Sequence, residues 1–138
     1  MIGARQGNLR GVSGESGSCF YRSVAYQMCE RAGRPYDDTR EVERLRHAVA
    51  VFLRSHRDDP VPGAPQLTWR QLGSAGAAGA GAAQVPVPQA MAYVIGLPLT
   101  VHMPTCELKF GQELGGDALE VRLVREHYCI QYRPTASI

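Results

Sequence analysis

The run Gly14-Glu15-Ser16-Gly17-Ser18-Cys19 is a loop of small residues that delivers a cysteine directly into a helical pattern. Beyond it Phe20, Val24 and Met28 recur every four residues, with Tyr21, Ala25 and Cys29 beside them, so the spacing predicts a helix with one broad apolar face. Ser18 has the side chain of an N-cap, and Gly33 stands just past the last turn as a stop. Cys19 therefore falls in the first helical turn. Unpaired backbone N–H groups and the positive end of the helix dipole there favour thiolate over thiol. The glycines also let backbone N–H groups come close to a reacting carbonyl, as an oxyanion hole requires. The competing reading is a half-buried structural cysteine at a helix start.

The remaining elements follow in order. Met1 to Ser13 reads as a loosely ordered lead-in with a short extended piece at Leu9 to Val12. Asp38-Thr39-Arg40-Glu41 resembles a capping box with Asp38 as the cap, and Val42, Leu45, Val49 and Phe52 make an apolar stripe that carries the helix to about Ser55. Asp58 to Gly63 is a turn region. Leu67, Trp69 and Leu72 suggest a short helix or turn that anchors a buried aromatic. Residues 73–84 are a Gly/Ala-rich loop. Pro88 to Ile95 is a helix stopped by Gly96. Four strands follow, around Leu97 to Met103, Glu107 to Phe110, Leu119 to Leu123 and His127 to Tyr132. Helices first and strands late make one α+β domain over residues 1–138, with a small, mostly antiparallel sheet packed against helices.

Composition excludes several classes of function. A net charge of +2, with basic residues scattered along the chain, gives no nucleic-acid patch. The most apolar region, Val85 to Met103, is broken by prolines and does not read as a membrane span. Cys19, Cys29, Cys106 and Cys129 show no CxxC or finger-like spacing, so we expect reduced thiols in a cytoplasmic setting, with no metal and no cofactor. Asp37, Asp38, Asp58 and Asp59 read as solvated turn residues.

A thiolate nucleophile needs a base, and four histidines are available. His47 and His56 fall on the outer side of the second helix or just past it, without partners nearby in sequence. His102 alternates with the apolar face of its strand and is expected to face solvent. His127 opens a strand after a turn, where a sheet would hold it at its rim.

Ser16-Gly17-Ser18-Cys19-Phe20-Tyr21-Arg22-Ser23 resembles the nucleophile block of the ovarian-tumour (OTU) family of cysteine proteases. The helix containing Leu45, Arg46 and Val49, then Trp69, the strand near Leu97 to Val101 and the closing His127-Tyr128 follow in the family's order, so the likeness runs from about Gly14 to Tyr132. The resemblance implies a papain-like fold with the nucleophile at the N-terminus of the central helix. It implies a monomeric deubiquitinase that releases ubiquitin, or a ubiquitin-like modifier, from its conjugates, of the compact kind found in viral polyproteins and bacterial effectors. Cys19 would be the nucleophile and His127 the general base and acid, with backbone N–H groups of Ser16, Gly17 or Cys19 forming the oxyanion hole. Ser16 stands where the family usually has Asp, and Cys129 stands where it has the Asp or Asn that orients the histidine. Glu15, Glu126 and Asn8 are the remaining candidates for that orienting role. Two alternatives accompany this reading, a silent ubiquitin-binding module and a protease dedicated to its own polyprotein.

Overall fold

The computed structural model describes residues 2–6, 9–12, 19–72, 86–124 and 127–131, with side chains over 19–72 and 87–123. Among the described residues the longer helices are α1 (Cys19–Ala32), α2 (Asp38–Ser55) and α3 (Pro86–Ile95). The strands are β1 (Ile2–Gln6), β2 (Leu9–Val12), β3 (Pro60–Val61), β4 (Ala64–Thr68), β5 (Leu99–His102), β6 (Glu107–Phe110), β7 (Leu119–Val124) and β8 (His127–Gln131). Six of them form one sheet in the order β1-β2-β8-β7-β5-β6. Every pairing in that sheet is antiparallel except β5 with β7, which is parallel. The class is therefore α+β.

Helices α1 and α3 end where a glycine dictates. Gly33 takes φ +68°, its N–H donates to the carbonyl of Glu30, and the N–H of Arg34 donates to the carbonyl of Cys29. Gly96 repeats the device for α3 at φ +73°, with Leu97 N–H donating to the Ala92 carbonyl. Only glycine adopts this left-handed conformation without a steric penalty. The start of α2 differs from the expected capping box. Asp37 is the N-cap, its carboxylate accepting from the Arg40 N–H at 3.1 Å. Asp38 is thereby freed to pair with α1, and Glu41 turns inward.

The sheet has two unlike faces. Leu99, Val101, Leu119 and Val121 are at most 2% exposed and form one continuous core with Phe20 and Val24 of α1, Val49 of α2 and Met91 of α3. Thr100, His102, Glu120 and Arg122 take the alternate positions on the other face. The apolar helix stripes pack on the first face because each element has only that surface to remove from water. Helix α1 lies deepest, between the sheet and α2. Ser23 and Gln27 are buried on it alongside Val24, Ala25 and Cys29, so it has more than the one apolar face its periodicity suggested.

The structure differs from the sequence patterning in three places. The segment from Met1 to Ser13 contains β1 as well as the extended piece at Leu9–Val12, and the hairpin joins the sheet through β8. Pro60 to Thr68 forms a small separate hairpin, β3 with β4, before a helical turn at 69–72 that buries Trp69. Helix α3 begins at Pro86, two residues before the expected start. The Gly/Ala-rich loop, 73–84, lies outside the described residues.

Gly111, at φ +66°, initiates the short 3-10 turn Gln112–Leu114 where the chain crosses α3. A Cβ at this position would lie 2.9 Å from Ala92 Cβ and 3.0 Å from Leu114 Cδ1. Gly111→Ala is expected to destabilise the fold by about 2 kcal/mol, from the left-handed backbone and the contact together. Urea unfolding measures it, and an unchanged midpoint would show that the turn yields.

Candidate active site

Cys19 is the first residue of α1 and is 7% exposed. Its carbonyl accepts from Ser23 Oγ at 2.8 Å, and Ser23 is fully buried. Four residues on, Gln27 Nε2 donates both to the Ser23 carbonyl at 3.3 Å and to the Glu120 carbonyl of β7 at 3.0 Å. Cys19, Ser23 and Gln27 share one side of the helix by their i, i+4 spacing. Their hydrogen bonds form a buried polar rail that ties the cysteine-bearing helix to the sheet. Phe20 and Tyr21 pack edge to face beside the cysteine, and the Arg46 guanidinium lies 4.7 Å over the Tyr21 ring.

The same contacts set the level of α1 along the sheet. Gln27 reaches Glu120, while Arg31 donates to the carbonyls of Asp117 and Ala118 at 2.7 and 2.9 Å. Helix and strand therefore run in opposite directions. The climb from Gln27 to Arg31 is about 6 Å along a helix, or about two residues of strand, which matches the step from Glu120 to Ala118. Counting back from Gln27 to Cys19 gives about 12 Å, between three and four strand residues. That brings the start of α1 level with Leu123 and Val124. Their register partners in β8 are Tyr128 and His127. Cys19 and His127, separated by most of the chain, thus stand at a common level along the sheet.

The other residues of the expected site are distributed unevenly. His127 is described through the backbone of β8, while Asn8, Glu15, Ser16, Gly17 and Glu126 lie outside the described residues, as does the expected cap Ser18. His47 is exposed. His56, contrary to the expectation, does have a partner nearby in sequence, the Asp59 carboxylate three residues on. Its Nδ1 lies 2.8 Å from Asp59 Oδ2, and its ring packs tilted against Phe52 with centroids 4.4 Å apart. His102 departs from its expected solvent position, with Nε2 2.8 Å from Glu120 Oε1, Nδ1 3.4 Å from Glu107 Oε1 and a side chain only 12% exposed. The neighbouring strands β6 and β7 supply both carboxylates, so strand pairing creates this partnership. Among the described residues, no group of three or more His, Cys, Asp or Glu could hold a metal ion. Within the same limits, no helix is long and apolar enough to cross a membrane.

Arg22, in the first turns of α1, has a defined structural role. Its Nε lies 3.0 and 3.1 Å from the two oxygens of Asp38, and the Tyr36 hydroxyl donates to Asp38 Oδ1 at 2.6 Å. Burial raises the Asp38 pKa, but the Tyr36 hydroxyl and the Arg22 guanidinium together outweigh it and hold the carboxyl below its ordinary value. Burial and the Asp38 carboxylate push Tyr36 upward. A carboxyl lowered on folding contributes stability above its unfolded pKa, and that contribution is lost as pH falls through the folded value. Asp38→Asn is therefore expected to cost about 1 kcal/mol at neutral pH and almost nothing in acid strong enough to protonate the carboxyl in the folded protein. Urea midpoints at both pH values check this, and an equal deficit at each would exclude an ionic origin.

The remaining cysteines differ from Cys19. Cys29 is 1% exposed, and burial, with Glu41 adding to it, pushes its thiol pKa up. It is placed as a core residue. Cys106 is exposed on the β5–β6 turn. Comparison with protein-family models, with curated proteins and with solved structures finds no match to this chain.

Proposed function

We propose that the chain is a papain-like cysteine hydrolase of the OTU kind, which removes ubiquitin or a ubiquitin-like modifier from conjugates in a reducing compartment. The observation that carries this reading is the common level of Cys19, at the N–H end of α1, and His127, at the start of β8. The nucleophile block and closing His-Tyr point to the same pair. Val124 and His127 form the last pair of their ladder and, by alternation, take positions on the face away from the helices. The dyad therefore requires the first residue of β8 to turn toward the end of α1. Ladder ends are where twist and bulges re-aim residues in this way.

In the proposed reaction the Cys19 thiolate attacks the carbonyl of the modifier's C-terminal glycine. The resulting oxyanion is held by backbone N–H groups at the start of α1. Collapse expels the amine, which takes a proton from the His127 imidazolium, and leaves a thioester on Cys19. The imidazole then removes a proton from water, whose attack releases the modifier and regenerates the thiol.

The test uses ubiquitin carrying a thiol-reactive C-terminal group, mixed with the wild type, Cys19→Ala and His127→Ala. An adduct that vanishes with the first variant and slows sharply with the second supports nucleophile, base and modifier together. A folded wild type that binds ubiquitin without an adduct would make the chain a silent binding module. One that neither binds nor reacts would redirect the assignment to polyprotein cleavage or another modifier.

A further inference from the structure

A concave site lies among α1, α2 and α3, with no strand residue in its lining. It is an open cavity of about 280 Å³, walled by Ala25 and Met28 of α1, Leu45 and Ala48 of α2, and Val94 and Ile95 of α3. Arg34, Glu41 and Arg44 complete its lining. The Glu41 carboxylate is 4% exposed and is held by Arg34 Nη1 at 2.6 Å. That contact compensates the buried charge. Arg44 and Arg40 approach the same carboxylate only to 3.9 and 4.0 Å, beyond hydrogen-bond reach, and their side chains are 61% and 63% exposed. Three guanidinium groups thus surround one carboxylate, leaving a cationic mouth above an apolar floor. Glu43 does not offset this, because two residues along α2 place it about 200° around the helix from Glu41.

We propose that this cavity docks an acidic, aliphatic peptide segment of a protein partner. A Leu or Ile side chain would enter between Met28, Leu45 and Ile95, and a neighbouring Asp or Glu would pair with Arg44 and Arg40. The exposed guanidiniums supply the charge complementarity that selects such a segment over a neutral or basic one. The site is independent of the Cys19 reading.

The experiment follows amide chemical shifts of the intact protein during titration with three short capped peptides. The first carries Leu flanked by Glu on both sides, the second has both Glu replaced by Gln, and the third has Leu replaced by Ser. Saturable shifts in α1, α2 and α3 around the cavity are expected with the first, at least about tenfold weaker with the others, and weaker again at high salt. Arg44→Glu is expected to abolish those shifts, as is Ala48→Leu, which fills the cavity without altering charge. Arg54→Glu, on the far side of α2, should bind as wild type. The spectra themselves report whether each variant is folded. The assignment is overturned by absence of saturable shifts at the cavity, by equal binding of the Gln or Ser peptide, or by unchanged binding to a folded Arg44→Glu or Ala48→Leu protein.

Discussion

Cys19→Ala is expected to abolish covalent capture of thiol-reactive ubiquitin and to slow hydrolysis of a ubiquitin amide about 10⁴-fold or more. The other described thiols are placed differently. Cys29 is sealed in the core with its thiol pKa raised, and Cys106 sits on the turn between β5 and β6. Removing one sulfur from a nearly buried position costs on the order of 1 kcal/mol, so the variant should remain folded. The control is Cys29→Ala, expected to carry a similar stability cost with activity retained. His127→Ala is expected to slow the reaction about 10²–10⁴-fold, the usual contribution of a positioned acid–base group. If Cys19 were structural, Cys19→Ala and Cys29→Ala would behave alike and wild type would give no adduct. Measuring adduct formation and urea midpoints for all three variants separates the two cases.

Met91→Ala is expected to lower stability by about 2–5 kcal/mol, the cost of truncating a large side chain that is wholly enclosed. Met91 is 0% exposed on α3 and belongs to the continuous core that includes Phe20, Val24, Leu99, Leu119 and Val121. Truncation leaves a cavity where helices and sheet meet, and the surrounding backbone can only partly collapse into it. Met91→Leu conserves most of the volume and is expected to cost less than about 1.5 kcal/mol. Val51→Ala, at a position 38% exposed on α2, should fall within about 0.5 kcal/mol of wild type. Urea or thermal unfolding of the three variants checks the order. A Met91→Ala protein as stable as Val51→Ala would mean that the core is packed around something other than this residue.

Local chemistry was legible wherever a residue acts on its own neighbourhood. The periodicities of Phe20 to Met28 and Val42 to Phe52 correctly placed α1 and α2, and Gly33 and Gly96 end their helices because glycine adopts their φ values without a steric penalty. Alternation located β5 and β7 because one face of each is apolar and the other polar. The cap of α2 was misplaced by one residue, since Asp37 and Asp38 are chemically equivalent until Arg22 and Tyr36 claim the second. The β3–β4 hairpin escaped notice because its prolines and glycine read as a turn region, and a two-residue strand such as β3 has too little alternation to register.

Partnerships between distant residues were decided only by the tertiary structure. His102 looked solvent-facing, and nothing in its own strand reveals that β6 and β7 bring Glu107 and Glu120 to its ring. Glu41 read as half of a capping box, yet folding buries it against Arg34 and builds a cationic mouth around it. The sequence alone nominated Cys19 and His127, through a helix start and a strand start. It carried no measure of the distance between them, because that depends on the offset at which α1 lies along β7. The hydrogen bonds of Gln27 and Arg31 to the backbone of Asp117, Ala118 and Glu120 set that offset. Helix and strand periodicities are written residue by residue, whereas the sliding of one element along another is settled only when their polar groups find partners.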